Sequence, residues 1–143
     1  MARKSKPVTE PLPEPTAAVA SVCPCCSGKA YAECCGPLHS GAGRATSAEQ
    51  LMRSRFSAFA VGDAAYLLRS WHPGTRPARL RLDAGTRWTR LEILGTADGG
   101  PFHSAGTVDF RAYYRERGGA EQSMRENSTF AREDGAWVYV SAL

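Results

Sequence analysis

All 5 cysteines of this 143-residue chain lie in the stretch Cys23-Pro24-Cys25-Cys26-Ser27-Gly28-Lys29-Ala30-Tyr31-Ala32-Glu33-Cys34-Cys35-Gly36. One residue separates Cys23 from Cys25, and eight residues separate Cys25 from the adjacent pair Cys34-Cys35. Two close pairs of thiolates, one at each end of a short loop, provide the four soft ligands that a tetrahedral zinc ion requires. The sequence therefore predicts one structural Zn²⁺ ion, bound by Cys23, Cys25, Cys34 and Cys35.

Three other interpretations of these cysteines compete with a zinc site: disulfides, a redox pair and buried core residues. Five cysteines cannot all pair in disulfides, and a cytosolic protein keeps its thiols reduced. A redox pair usually has two intervening residues, a spacing that Cys23 and Cys26 have but Cys23 and Cys25 do not. Cysteines that only fill a core would be spread over several elements rather than concentrated in one polar loop. The zinc site is the interpretation that these comparisons favour.

The stretch resembles the SEC-C zinc motif, which occurs at the C-terminus of the SecA translocation ATPase and in many small bacterial proteins. The four predicted ligands match the ligand positions of that motif, and its loop is matched by Ser27, Gly28, Lys29 and Tyr31. Cys26 departs from the motif, which usually has glycine there. If the position needs a positive φ, Cys26 is strained, and it adds a fifth thiol that could be a spare ligand or a target of oxidation. Because the SecA motif is a docking element, the resemblance implies a protein partner.

Charge and hydropathy exclude several classes of protein. The formal net charge is only +4 and the arginines are scattered, so we do not expect binding to nucleic acid. There is no run of some 18 apolar residues to span a membrane, and the apolar stretch 17–22 is too short for a signal peptide. The expected location is the cytoplasm.

The chain divides into three parts by composition. Residues 1–21 carry proline, charged and small residues without periodicity and are predicted to be a disordered tail. Residues 22–40 form the zinc hook, and residues 41–45 form a short flexible linker. A globular domain is predicted over 46–143.

Two helices are expected at the start of that domain. Thr46 and Ser47 are N-cap candidates, and apolar residues then recur at helical spacing to about Val61, at Ala48, Leu51, Met52, Phe56 and Phe59. Gly62 ends this helix. Asp63 begins a second helix, which must stop near Trp71-His72 because Pro73 follows.

Strands and turns dominate the rest of the chain. A short strand is possible at 80–82, and longer strands are expected at about 87–95, 104–117, 121–132 and 137–140, separated by Gly-rich turns. Helices followed by an antiparallel meander predict an α+β, cone-shaped domain, with its N-terminal helices packed on a curved antiparallel sheet.

The whole chain resembles the YchJ family, in which a SEC-C motif precedes a nuclear-transport-factor-2-like, cystatin-like domain. The matching segments are Cys-Cys-Gly-Pro-Leu-His at 34–39, Leu-Met-Arg-Ser-Arg-Phe-Ser-Ala-Phe at 51–59, Tyr-Leu-Leu-Arg-Ser-Trp-His-Pro at 66–73 and Leu-Glu-Ile at 91–93. Glu126, Ser128, Phe130, Gly135, Trp137 and Tyr139 continue the match. Arg125 departs from it, since histidine is expected there. The resemblance implies a fold rather than a reaction.

Two charged residues fall where apolar ones are expected. Arg55 lies on the apolar face of the first helix, and strand alternation places Glu126 on the same inner face as Met124 and Phe130. Because an unpaired buried charge is costly, the sequence predicts that Arg55 and Glu126 form an ion pair. We expect the pair to be structural, with a ligand or catalytic pocket as the alternative.

Two histidines are weaker candidates. His72 could be a general base at the mouth of the cone, but a histidine at a helix end more often bonds free carbonyl groups. His39 could replace a cysteine on zinc, although four cysteines already suffice. The pocket candidates are therefore Arg55, His72 and Glu126.

Two functions remain open, and the sequence favours the first of them. The first is a cytoplasmic zinc-binding adaptor whose hook contacts a protein partner, with the domain as its body and a homodimer possible. The second is a small-molecule binder or an enzyme of the isomerase, dehydratase or hydrolase type that uses Glu126 in the cone cavity. An open pocket that holds Glu126 without Arg55 against it would favour the second function, and a filled core would favour the adaptor.

Overall fold

The computed structural model describes residues 22–143, so the predicted tail at 1–21 lies outside the described residues. A 3₁₀ turn at Tyr31–Glu33 precedes three α-helices, α1 (Cys35–Ser40), α2 (Ala48–Val61) and α3 (Ala64–Arg69). Four strands follow: β1 (Thr86–Asp98), β2 (Ala105–Glu116), β3 (Glu121–Glu133) and β4 (Ala136–Ala142). They form one antiparallel sheet in the order β1-β2-β3-β4. The α+β class is confirmed, but helix α1 was not predicted.

Helix α2 has the capping expected from its sequence. The Ser47 hydroxyl accepts a hydrogen bond from the Gln50 N–H, and the Gln50 side chain accepts one from the Thr46 N–H. These reciprocal bonds satisfy free amides at the start of the helix. Gly62 closes the other end in the left-handed region, at φ 81°. The observed limits of α2 are those that the sequence predicts.

Helix α3 is shorter than predicted and stops at Arg69 rather than near Trp71-His72. The reason is tertiary. The His72 N–H donates to the Tyr139 carbonyl over 2.7 Å, and the Tyr139 N–H donates to the Ser70 carbonyl over 2.9 Å. The chain after α3 therefore pairs with β4 as a short parallel bridge at Trp71 instead of continuing the helix.

The short strand considered at 80–82 is absent from this part of the structure. Leu80 and Leu82 instead pack against a small cluster formed by α1, α2 and α3. These two leucines bury their side chains without forming strand hydrogen bonds. Alternation over three residues cannot distinguish a short strand from such side-chain packing.

The core lies between α2 and the concave face of the sheet. Its buried members are Ala48, Leu51, Met52, Phe56, Leu91, Val108, Phe110, Ala112, Phe130 and Trp137. The N-terminus of α2 is fixed where the Ala48 N–H donates to the Gly99 carbonyl over 2.9 Å. A Cβ on Gly106 would lie 2.5 Å from the Gly99 backbone, so this end of the sheet closes tightly only with glycine. Among residues 22–143 no helix is long and apolar enough to cross a membrane.

Candidate metal centre and cavity

The four predicted ligand residues come together at one point. The Sγ atoms of Cys23, Cys25, Cys34 and Cys35 all lie within 4.8 Å of one another. Cys25 Sγ is 3.6 Å from Cys34 Sγ, which is 3.9 Å from Cys35 Sγ. All five cysteines are free thiols, and three of the four clustered ones are buried. This cluster can hold a metal ion.

The local chain conformation explains how a short loop achieves this. The Cys23 N–H donates to the Lys29 carbonyl over 2.9 Å, which folds the loop back on itself. Cys26 adopts φ 67°, so the position does need a positive φ and Cys26 is the strained residue there. Gly36 touches Tyr31 so closely that a Cβ would lie 2.7 Å from the Tyr31 carbonyl oxygen. The turn therefore delivers the second cysteine pair next to the first.

The spacing of the sulfur atoms fits a tetrahedral ion. Zinc–sulfur bonds of about 2.3 Å in a tetrahedron place neighbouring sulfurs about 3.8 Å apart. The two separations of 3.6 Å and 3.9 Å fall on either side of that value, and all four sulfurs lie within 4.8 Å of one another. The donor set, four thiols without oxygen ligands, is also the one that soft or borderline metal ions prefer.

Protons are unevenly shared among these thiols. Hydrogen bonds from the thiols of Cys25 and Cys35 lower the pKa of Cys23. The same cluster raises the pKa of Cys35, first through its hydrogen bond with Cys23. Four neighbouring thiolates would repel one another in a buried site. A bound cation removes that repulsion, so metal binding and loss of the thiol protons are coupled.

The hook is docked on α2 by three polar contacts. Arg53 Nη1 donates to the Cys25 carbonyl oxygen over 2.8 Å, and Cys23 Sγ lies 3.8 Å from Ser57 Oγ. Buried His39 contacts the Tyr31 hydroxyl with Nδ1 at 2.6 Å and the Ser54 carbonyl with Nε2 at 2.8 Å. His39 is thus a link between the hook and α2 and is outside the cysteine cluster.

Cys26 points away from the cluster. Its Sγ accepts a hydrogen bond from the Leu91 N–H over 3.4 Å, at the edge strand β1. The fifth thiol is therefore exposed and contacts the sheet rather than filling a spare ligand position.

A cavity of about 170 Å³ lies under α2. Most of its wall is apolar, and its lining residues are Met52, Arg55, Phe56, Phe59, Trp88, Phe110, Ala112, Met124, Glu126, Ser128 and Tyr139. At about 30 Å³ per water in the liquid, its volume has room for roughly six water-sized groups. Arg55 and Glu126 are the two charged residues of the wall.

The predicted ion pair between Arg55 and Glu126 is wrong. No such pair exists within residues 22–143, although both residues line the same cavity. Arg55 Nη1 instead donates to the Leu67 carbonyl and to Ser70 Oγ, each over 2.7 Å. Its guanidinium also stacks over the rings of Trp71 and Tyr139. The Leu67 carbonyl, the Ser70 hydroxyl and two aromatic rings replace the carboxylate as partners of this cation.

Glu126 has its own partners. Its Oε2 accepts hydrogen bonds from Ser128 Oγ and, over 3.1 Å, from the Tyr139 hydroxyl. Burial, followed by the nearby charge of Glu126, raises the pKa of Tyr139 to about 12, so this hydroxyl remains a donor at neutral pH. Burial lowers the pKa of Arg55 to about 10, and the guanidinium therefore remains charged at neutral pH.

His72 is not part of the cavity wall. Its Nδ1 accepts a hydrogen bond from the Gly74 N–H, and its Nε2 lies 3.3 Å from a carboxylate oxygen of Glu133. The imidazole fixes the turn after α3 and does not bond free helix carbonyls. Neither alternative offered by the sequence describes the role of this side chain.

Sequence reasoning overlooked Tyr139 and Trp88 as cavity residues. Tyr139 is on β4, opposite Phe130 in the sheet register, and Trp88 is on β1, opposite Tyr114. Alternation with Phe130 places Tyr139 on the inner face and was the available signal. Trp88 precedes a register shift in β1, which obscures its face in the sequence.

Comparisons with known proteins agree with this architecture. The family model described as "YchJ, middle NTF2-like domain" matches residues 47–142, and the one described as "SEC-C motif" matches residues 21–37. A UPF0225 protein of Streptomyces coelicolor is 62% identical over 117 residues, which cover 82% of this chain and 90% of that protein. A UPF0225 protein of Xanthomonas oryzae pv. oryzae is 48% identical over 130 residues, covering 90% and 98% of the two chains.

Two solved structures are similar to this one. The solution structure of a SEC-C motif containing protein from Rhodopseudomonas palustris has a TM-score of 0.74 and 37% identity, and covers 85% of this chain and 96% of that chain. The crystal structure of a SEC-C motif containing protein from Psychrobacter arcticus has a TM-score of 0.70 and 27% identity, with coverages of 86% and 83%. The chain therefore belongs to the UPF0225 (YchJ) family, with a SEC-C motif followed by an NTF2-like domain.

Proposed function

We propose that this protein binds a small molecule in the cavity under α2 and carries a structural zinc ion in its hook. The observation that carries the proposal is the open cavity with Glu126 in its wall and no arginine paired with it. A pocket with an apolar wall and a few polar groups at fixed positions is the usual form of a ligand site. The adaptor, which the sequence favoured, would be better served by a filled core.

Zinc is the metal that the hook suits best. Four cysteine ligands complete a tetrahedral shell and leave no position for a substrate or water, so the ion would be structural. Elemental analysis of the purified protein tests this assignment, and we expect one zinc per chain. An iron or copper content at that ratio, with little zinc, would contradict it.

Binding rather than catalysis is the role that the cavity residues support. Glu126 is engaged by the hydroxyl groups of Ser128 and Tyr139, and the cavity-lining residues within 22–143 include no histidine and no second carboxylate. General acid–base chemistry with two groups of different pKa therefore lacks one of its members here.

The methionines provide a direct test of ligand binding. The chain has 3 methionines. Met52 and Met124 line the cavity, while Met1 belongs to the N-terminal segment. In a protein labelled with ¹³C at the methionine methyl groups, fragments that bind in the cavity should shift the Met52 and Met124 signals and leave Met1 unchanged. A fragment library that shifts neither signal in folded, metal-loaded protein would refute the proposal.

A second candidate is a protein partner docked on the outer side of the hook. One side of the hook packs on α2, whereas Val22 is 64% exposed and Lys29 and Glu33 are also exposed. The double variant Val22→Ser/Lys29→Glu leaves the four clustered cysteines in place. We expect it to keep its zinc and to lose capture of a specific partner from a bacterial lysate, and unchanged capture would count against docking here. Reduced thiols suit the cytoplasm, where we place both roles.

A further inference from the structure

The polar end of the cavity contains hydrogen-bonding atoms that the protein leaves unused. Arg55 is 4% exposed, yet only its Nη1 finds partners within residues 22–143, at the Leu67 carbonyl and at Ser70 Oγ. Its Nε and Nη2 have no hydrogen-bond partner in the described part of the chain. Neither atom is among the fully buried, unpartnered polar atoms of residues 22–143, which are the indole Nε1 atoms of Trp71 and Trp137. Both Arg55 donors therefore keep some accessible surface, and a ligand that supplies an acceptor can bond to them.

Glu126, in the same cavity wall, has a free acceptor where Arg55 has free donors. Both hydroxyl donors, Ser128 Oγ and Tyr139 Oη, bond to Oε2 of Glu126. Oε1 accepts no hydrogen bond from any residue of 22–143. The carboxylate of Glu126 therefore keeps free acceptor sites on Oε1, and only a donor can fill them.

The two free groups lie on one cavity without touching each other. Tyr139 contacts both of them. The Arg55 guanidinium stacks 4.8 Å from the centroid of the Tyr139 ring, and the Tyr139 hydroxyl donates to Glu126. A head group at this end of the cavity that carries both an acceptor and a donor can accept from Arg55 and donate to Glu126. An amide does so with its carbonyl oxygen and its N–H group.

Charge balance limits the head group further. The wall carries one guanidinium and one carboxylate, so its formal charge is zero. A ligand with a net charge would bring an uncompensated charge into an apolar cavity, which is strongly unfavourable. An anionic head group would face Glu126, and a cationic one would face Arg55.

The rest of the wall selects the body of the ligand. Five aromatic side chains, Phe56, Phe59, Trp88, Phe110 and Tyr139, surround the cavity together with Met52 and Met124. Aromatic rings and thioether groups pack well against a flat apolar ring. We infer that the cavity binds a small, neutral aromatic carboxamide or lactam, whose amide lies between Arg55 and Glu126. This inference rests on the proposed function of the cavity.

Four small probes with the same ring test the inference: benzamide, benzoate, benzylamine and toluene. Titrations of the metal-loaded, ¹³C-methionine protein at pH 7.5 give each dissociation constant from the Met52 and Met124 signals. We expect benzamide to bind at least tenfold more tightly than benzoate or benzylamine and severalfold more tightly than toluene. Benzoate or benzylamine binding as tightly as benzamide would overturn the inference.

Failure of the head-group assignment can be separated from failure of the cavity. Toluene binding as tightly as benzamide would show that the polar end is not used, and would leave the cavity itself intact as a ligand site. Absence of binding by all four probes would overturn the proposed function as well.

Glu126→Gln provides a second, independent readout. Glutamine has the shape of glutamate but no charge, so the wall of this variant has a net charge of +1. We expect the preference to move by at least tenfold from benzamide toward benzoate in Glu126→Gln. Ser123→Ala, on the exposed part of β3, is the matched control and should keep the wild-type order. An unchanged order of affinities in a folded Glu126→Gln protein would refute the contact with Glu126.

Discussion

Arg53 donates a hydrogen bond of 2.8 Å from Nη1 to the backbone carbonyl of Cys25, and thereby joins helix α2 to one of the clustered cysteines. The same side chain bonds Glu49, one turn earlier, through Nε over 3.0 Å. Helix α2 also supplies Met52, Arg55 and Phe56 to the cavity wall. One helix therefore carries the hook on one face and the cavity on another.

The Arg53 contact should stabilise the metal-loaded protein. Arg53→Gln removes the bond to Cys25 together with the pair to Glu49, whereas Glu49→Gln removes only the pair. Because exposed i,i+4 pairs are worth about 0.3–0.5 kcal/mol, we expect Glu49→Gln to have little effect. The loss in Arg53→Gln should be larger by about 1 kcal/mol in urea unfolding, since a charged donor is removed. Equal losses in the two variants would show that the link to the hook contributes nothing.

Metal retention should depend on Cys25 and not on Cys26. Cys25 belongs to the cluster of four, whereas Cys26 contacts the Leu91 amide on β1. We expect Cys25→Ser to lose most of its zinc during purification and Cys26→Gly to keep one zinc per chain. Elemental analysis of both variants beside the wild type measures this difference. Full zinc retention by Cys25→Ser would rule out the proposed ligand set.

Arg55 and Glu126 should contribute to stability almost independently. Breaking a buried ion pair costs about 3–5 kcal/mol, but these two residues form no pair. Arg55→Met should still cost about 1–3 kcal/mol, because Leu67 and Ser70 lose their donor. A double-mutant cycle of Arg55→Met and Glu126→Gln, measured by urea unfolding, should give a coupling energy below about 1 kcal/mol. A coupling energy of several kcal/mol would show that Arg55 and Glu126 do form an ion pair.

The protein should lose stability above pH 10, and ionisation of Tyr139 should make that loss steeper. Burial raises the pKa of Tyr139 from its ordinary value of 10.0 to about 12, so the folded protein holds this proton more tightly than the unfolded chain. The resulting stabilisation is complete below pH 10 and is lost as the pH rises toward 12. Tyr139→Phe should therefore show a shallower decline of the urea midpoint between pH 10 and pH 11.5.

Arg55 should make the loss of stability above pH 10 less steep. Burial lowers its pKa from 12.5 to about 10, so the folded state binds the proton less tightly and this cost is relieved as the pH rises above 10. Arg55→Met should accordingly show a steeper alkaline decline than the wild type. If Tyr139→Phe declines as steeply as the wild type, the partly buried position of Tyr139 does not raise the pKa of its hydroxyl.

The junction between α2 and the β1–β2 turn should tolerate no side chain at Gly106. A Cβ there would lie 2.5 Å from Gly99 Cα, whereas a Cβ on Gly95 in β1 would meet nothing within 4 Å. We expect Gly106→Ala to lower the free energy of unfolding by about 1–3 kcal/mol or more, and Gly95→Ala to change it by less than 1 kcal/mol. Thermal unfolding of the two variants is the comparison, and similar losses in both would contradict the close approach.

Local patterns determined much of this protein. The spacing of the cysteines between Cys23 and Cys35 predicts that four thiols come together. The chain reversal that achieves this lies within a few residues, so local sequence is enough to predict it. The limits of α2 follow from Ser47 and Gly62, because caps act on neighbouring amides and carbonyls. Alternation assigned the inner face of β3, where Phe130 is indeed buried and Met124 and Glu126 are partly buried.

Long-range choices were decided only by the tertiary structure. Periodicity placed Arg55 and Glu126 on inner faces but carried no information on their positions along the helix and the strand. In the fold, Arg55 lies beside the end of α3, where the Leu67 carbonyl and two aromatic rings are nearer than Glu126. The end of α3 likewise depends on backbone bonds to Tyr139, about seventy residues away in sequence. A charge pairs with the partner that packing brings within reach, and that distance is set by how α2, α3 and the sheet fit together.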